Sequence, residues 1–331
     1  MKLSVHTSSQ AYELNLLRIT QLCGTDFRKK QYILKSLRKH FSSSKYSEYE
    51  GGMINNIEID NEIPGREYFE VYSIETVRDI LKMIQLGKNT LMSRYIKMCL
   101  QSSSLKDEMQ QLEFLTDDIF YKLNQNLFEE FQYLRLSYSL EKLFDIIQKS
   151  EIVSDEREDV EALSDFELLK IFLLLIEQIQ RCDPRKIMII IENIDHFIEF
   201  KEYEKIFRMI QNLCNKYDIW CIFSMSTSGY VYIDHVCMEG INIINDEIFT
   251  LPQLRYTKSF VEQQYPCHID ITDEEVIVML RSIIHRIGNS KIELNQKSDV
   301  LLKMINGSLC IDTKVISTLN NIEKSFLAAE L

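Results

Sequence analysis

With 331 residues, 45% hydrophobic and 27% charged, the chain carries enough apolar side chains for one large or two ordinary domains. Its apolar stretches, such as residues 171–176, fall far short of the roughly 18 residues of a membrane span. The N-terminal residues lack the apolar core of a signal peptide, so a cytoplasmic setting without membrane contact is expected. A formal net charge of −12 excludes a protein that meets nucleic acid with its whole surface, and confines any such contact to a local groove or channel.

Nine glycines and four prolines favour long helices over tight-turned β meanders. Short strands are predicted at 3–6, 12–16 and 18–23. Gly24 then turns the chain into a helix over 26–41, with Asp26 as its N-cap. The apolar face of that helix collects Phe27, Ile33, Leu34, Leu37 and Phe41, and Arg28, Lys35 and Lys39 lie on the other side. Residues 55–60 and 66–73 alternate like two antiparallel strands joined around Pro64-Gly65. Residues 76–101 and 105–180 read as helix, broken at Gly87, at Ser102-Ser103-Ser104 and in the acidic stretch 151–167. No strand pattern interrupts them, so they form a helical insertion in an α/β body.

Residues 186–195 then form a continuous β-branched run ending in Glu192, Asn193 and Asp195. Such a run is what a central strand looks like when helices cover both faces of a parallel sheet. A helix over 199–216 leads to a second buried strand at 219–224, making a βαβ unit. Further short strands are expected at 231–233 and 241–244, and 255–331 reads as mainly helical.

An acid closing a central strand is where P-loop NTPases hold magnesium, and the Gly24 turn is the matching phosphate cradle. Gly24 to Gln31, however, lacks the second glycine and the hydroxyl of G-x-x-x-x-G-K-[ST]. The expectation is an NTPase-like core without its chemistry, in which Glu192, Asn193 and Asp195 are exposed loop-end acids or sheet-edge contacts. The histidines show no H-x-x-x-H pairing, no G-x-S-x-G elbow occurs, and eight cysteines without C-x-x-C spacing read as buried free thiols. Two features remain. One is the acidic run from Glu151 to Glu167, whose carboxylates suit a hard cation but lack the EF-hand pattern. The other is the basic set Arg28, Lys29, Lys30, Lys35, Arg38, Lys39, Lys45, Lys82, Lys88, Arg94 and Lys97. On a net-acidic chain it suits either a solvated surface or a phosphate-backbone channel.

Many short stretches, in order, carry a resemblance: Val5-His6, Glu13-Leu14-Asn15, Arg18-Ile19-Thr20-Gln21, Lys45-Tyr46-Ser47, Tyr230-Val231-Tyr232-Ile233, Asn242-Ile243-Ile244, Phe260-Val261 and Tyr265-Pro266. Together they resemble the CRISPR-associated spacer-acquisition proteins of subtype II-A systems, the Csn-two family, in its longer variants. The resemblance implies an α/β fold: a parallel-sheet head of NTPase-like type with a degenerate P-loop (1–88 and 183–251), a long α-helical leg (89–182), and a helical C-terminal extension (252–331). It also implies a homotetrameric ring that threads double-stranded DNA from its ends without sequence preference, without nuclease or ATPase activity or a bound nucleotide. The ring would act beside the CRISPR integrase proteins and the effector nuclease.

On that reading Arg28, Lys29, Lys35, Arg38 and Lys39 of the head, and Lys97, Lys142 and Lys149 of the leg, are the candidates for facing DNA. Structural calcium (Ca2+) would be held by Glu129, Glu130, Glu141 and Asp155. Two other readings stay open: an atypical NTPase using the Gly24 turn, Lys29 or Lys30 and Glu192, and a helical protein-interaction scaffold.

Overall fold

The computed structural model describes residues 1–131, 147, 150, 152, 159–226, 230–264, 270–289, 291–293, 297–312 and 314–316. By contact the chain divides into two compact units, Met1–Glu75 with Arg185–Leu331, and Thr76–Pro184. The sequence reading placed these boundaries at 88/89 and 182/183 and set the residues after 251 apart; by contact those residues group with the first unit.

The first unit is built on a six-stranded sheet of β3 (Ile19–Cys23), β5 (Glu70–Ile74), β6 (Ile187–Glu192), β7 (Ile219–Ser224), β8 (Ile241–Ile244) and β9 (Ile248–Thr250). The strand order is β5-β6-β7-β3-β8-β9, all parallel except β9. Every residue of β3, β6 and β7 is buried, which is why these strands read as unbroken apolar runs. Alternate residues face opposite layers. Leu22, Met188, Ile190, Trp220 and Ile222 share one core cluster with Ile33, Leu34 and Leu37 of α1 (Phe27–His40). On the other face, Tyr203 and Phe207 of α6 (Phe200–Lys216) pack on Phe223, and the Tyr203 hydroxyl donates to Gln21 Oε1 at 2.9 Å.

A smaller antiparallel sheet has the order β2-β1-β4, from β1 (Lys2–His6), β2 (Ala11–Asn15) and β4 (Ile57–Ile59). The buried Asn242 side chain joins the two sheets, accepting from the Asn15 N–H at 2.8 Å and donating to the Asn15 carbonyl at 3.0 Å. It thus completes the β2 edge as a neighbouring peptide would.

Four expectations are corrected. The strands near 57 and 70 are not a hairpin: β4 pairs with β1, and β5 pairs in parallel with β6 in the other sheet. Alternation identified two half-buried strands but carries no information about partners. Residues 231–233 belong to no strand. The Gln21 side chain takes the place of a strand, donating to the Tyr232 carbonyl at 2.7 Å and accepting its N–H at 2.9 Å. Phe27 opens α1 at 46% exposure, outside the core, beneath the Lys30 ammonium at 4.6 Å from its ring centroid. Finally, the C-terminal region holds α7 (Leu254–Gln264), α8 (Asp273–Ile283) and α9 (Lys297–Ser308), but also the short parallel pair β10 (Lys291–Glu293) and β11 (Lys314–Ile316).

In the second unit, α2 (Val77–Ile84) and α3 (Leu91–Leu100) pack against α5 (Asp165–Cys182). Ser164 and Glu167 form a capping box that starts α5, so the end of the acidic run serves a helix terminus. The 26-residue α4 (Lys106–Phe131) exposes Phe114, Leu115, Ile119, Tyr121 and Phe128. Among the described residues no helix is long and apolar enough to cross a membrane.

Candidate functional site

In open parallel sheets, ligands enter the crevice beyond the carboxyl ends of the strands where the strand order reverses. Here that place is the end of β3, between β7 and β8. Gly24 leaves β3 at φ +90°, and a Cβ there would stand 2.2 Å from the Ile244 carbonyl oxygen, so only glycine fits.

The N–H groups that this turn would offer to a phosphate are already held by the protein. That of Gly24 donates to His285 Nδ1 at 3.4 Å, that of Thr25 to Asn245 Oδ1 at 2.6 Å, and that of Asp26 to the Ile244 carbonyl at 3.2 Å. The Lys29 N–H donates to the N-cap, Asp26 Oδ1, at 3.0 Å. His285, a lone histidine by sequence, therefore belongs to this cluster.

Counting the motif from Gly24 puts Lys29 in place of its second glycine, Lys30 at its lysine and Gln31 at its hydroxyl. Each bonds to another part of the protein. Lys30 is 1% exposed and donates to the Gly24 carbonyl at 2.9 Å and the Met225 carbonyl at 2.5 Å, filling the crevice between β3 and β7. Burial pulls its pKa below the ordinary lysine value, against the opposing pull of Asp195 and Asp26. Burial likewise pushes the adjoining Cys23 thiol up to about 12.

The Gln31 amide donates to Glu192 Oε2 at 2.7 Å, where a hydroxyl and an acid would share magnesium. Arg38 donates to the other Glu192 oxygen, to Glu75, and to Ser73 Oγ at 3.2 Å. At 3% exposure, Glu192 is not a loop-end acid; it is a buried carboxylate held from two sides. Asp195 is also buried, at 5% side-chain exposure, and accepts from Ser226 Oγ.

The basic residues singled out by sequence have divergent environments. Lys29 donates to the carbonyls of Asn245 at 2.5 Å and Asp246 at 2.9 Å. Lys39 pairs with Glu50 at 2.9 Å and donates to the Lys45 carbonyl at 2.8 Å. Lys29, Arg38 and Lys39 thus serve internal contacts. Arg28 and Lys35 are exposed on α1 and form no ion pair among the described residues, and Lys97 is exposed on α3. Lys142 and Lys149 lie outside the described residues.

Of the metal candidates, Glu129 and Glu130 stand on the last turn of α4, and Glu141 and Asp155 lie outside the described residues. Among the described residues, no three His, Cys, Asp or Glu side chains come together to hold an ion.

The residue that sequence reasoning missed is Asn245, 1% exposed at the end of β8. Its Oδ1 accepts from the N–H and the hydroxyl of Thr25, and its Nδ2 donates to the carbonyls of Ile287 and, at 3.1 Å, His285. It ties the Gly24 turn to the segment after α8. The only available signal was an amide directly following a buried strand.

The fold is thus a mixed α/β one with a largely parallel sheet and many helices. The chain matches the family described as CRISPR-associated protein Csn2 subfamily St over residues 4–316, and it belongs to that family. Its function is accordingly CRISPR-associated. In fold it is similar to Stu0660 of Streptococcus thermophilus, seen in a crystal structure, with a TM-score of 0.86, 20% identity and 99% of each chain covered. No curated protein matches it.

Proposed function

We propose that this protein is a non-enzymatic binder of double-stranded DNA ends, acting without sequence preference in CRISPR spacer acquisition, as a closed ring of four copies. The observation that carries this reading is the family match over residues 4–316, joined to a crevice whose nucleotide-holding positions are occupied by the protein's own atoms. The first indicates a CRISPR role, and the second argues for binding over phosphate chemistry. The head is read as an NTPase-like framework whose cradle, lysine and strand-end acid have become structural.

The mechanism is topological. A duplex end enters the ring, lysines and arginines displace condensed counterions from the phosphates, and the closed ring holds DNA that it does not read. The exposed apolar surface along α4 is of the kind that contacts between copies cover, which supports assembly through the helical insertion. Calcium remains part of the proposal through Glu129, Glu130, Glu141 and Asp155, whose carboxylates suit a hard cation. Integrase proteins and the effector nuclease are the proposed partners.

The test is binding of one DNA sequence as a blunt linear duplex and as a covalently closed circle, at increasing salt. Linear DNA is expected to bind, with affinity falling linearly in a log–log plot against salt, and the circle is expected to be excluded. Equal binding of both forms overturns the ring reading. ATP with magnesium is expected to leave the unfolding temperature unchanged; a rise would restore the NTPase reading.

A further inference from the structure

α6 carries a line of positive charge that periodicity in the sequence did not single out. Lys201, Lys205, Arg208, Asn212 and Lys216 follow one another at intervals of four, three, four and four, and all five are exposed. At 100° per residue these spacings hold them within about 80° of the helix surface. The rotation of the helix is set by its buried side, where Tyr203, Ile206, Phe207, Ile210, Leu213 and Cys214 meet the sheet.

No acid of α6 itself falls on the line. Glu202 is engaged at the helix start, accepting the Glu199 N–H at 3.1 Å in a capping box, and Glu204 lies on the flank beside Arg208. Arg208 is steadied by a hydrogen bond to the Tyr232 side chain. From Lys201 to Lys216 the helix rises about 22 Å at 1.5 Å per residue, which matches roughly six nucleotide steps of one DNA strand.

We propose that this exposed line on α6 is a track for the phosphate backbone of duplex DNA, a deepening of the function proposed above that rests on it. DNA is favoured over a protein partner because the line contains no aromatic or apolar side chain to anchor a protein interface. Evenly spaced cations with an amide among them suit a repeating phosphate and read no base. The proposal departs from the sequence expectation for the first unit, which placed the DNA-facing cations on α1. α1 and α6 cover opposite faces of the sheet, and three of the five α1 cations expected to face DNA are engaged internally. The proposed track thus lies on the face of the sheet opposite α1.

The experiment compares the full-length wild type with two variants, Lys201→Gln/Lys205→Gln/Lys216→Gln on α6 and Arg28→Gln/Lys35→Gln on α1. Arg208 is left intact to keep its bond to Tyr232. Binding of a blunt duplex is measured from about 50 to 200 mM salt, the range over which phosphate contacts dominate affinity. The triple variant is expected to lose up to about 2.7 in the slope of log K against log salt, at roughly 0.9 per contact. Its binding should fall at least ten-fold at the low-salt end, and the double variant should keep the wild-type slope. A triple variant with unchanged slope, or a double variant carrying the whole loss, overturns the α6 track while leaving DNA binding in place. A wild type that binds no duplex overturns the function itself, and the track with it.

Discussion

Replacing Lys30 by methionine tests whether the crevice is a closed structural joint. Methionine retains most of the length and apolar volume but removes the ammonium, so the Gly24 and Met225 carbonyls lose their donor. Hydrogen bonds to a charged group contribute about 1.5–3 kcal/mol each. Relief from burying the ammonium offsets several kcal/mol of that sum. The net expectation is a loss of roughly 2 kcal/mol at neutral pH, or about 3 °C in unfolding temperature for a chain of this size.

The pH dependence has a definite sign. Burial lowers the folded-state pKa of Lys30 below 10.5, so between the two values the unfolded chain binds more protons than the folded one. Wild-type stability therefore gains with rising pH across that window, which closes near 10.5, and the Lys30→Met variant has no such group. The difference between the two should widen as pH rises from about 7 towards about 10. Urea unfolding followed by the fluorescence of Trp220, the single tryptophan, reports on this unit directly. A variant as stable as the wild type, or a difference that narrows on alkalinisation, refutes the argument.

Two further outcomes are expected. Asn245→Ala removes two acceptor contacts from Thr25 and two donor contacts to His285 and Ile287 at a 1%-exposed position, and should lower stability by about 3 kcal/mol in the same urea assay; a loss under about 1 kcal/mol would show that Asn245 ties nothing together. Thiol labelling at about pH 7.5 with peptide mapping should modify the exposed Cys182 and Cys310 first. Cys23, Cys214, Cys221 and Cys237 are buried, their thiols pushed well up by desolvation, and should react only after denaturation. Rapid native labelling of Cys23 would contradict the packing around the Gly24 turn.

Much of the framework was legible because it is local. The apolar runs at 19–23, 187–192 and 219–224 are strands buried on both faces, and the spacing of Ile33, Leu34 and Leu37 is that of a helix with one buried side. Asp26 announces its helix by chemistry confined to a single turn. The lack of a complete nucleotide motif could also be read, because the missing glycine and hydroxyl are absences within eight consecutive residues.

The sequence by itself therefore determined the α/β body, the α1 helix, the helical insertion and the lack of a complete nucleotide motif. Tertiary structure alone decided what each polar group does. Gln31 finds Glu192 across 161 positions of chain, and Lys29 finds Asn245 across 216. Periodicity records which side of an element is dry, because that depends on neighbours three or four residues away. It carries no record of which distant carbonyl or carboxylate meets a given lysine, and so could not separate the inward-turned charges of α1 from the exposed line on α6.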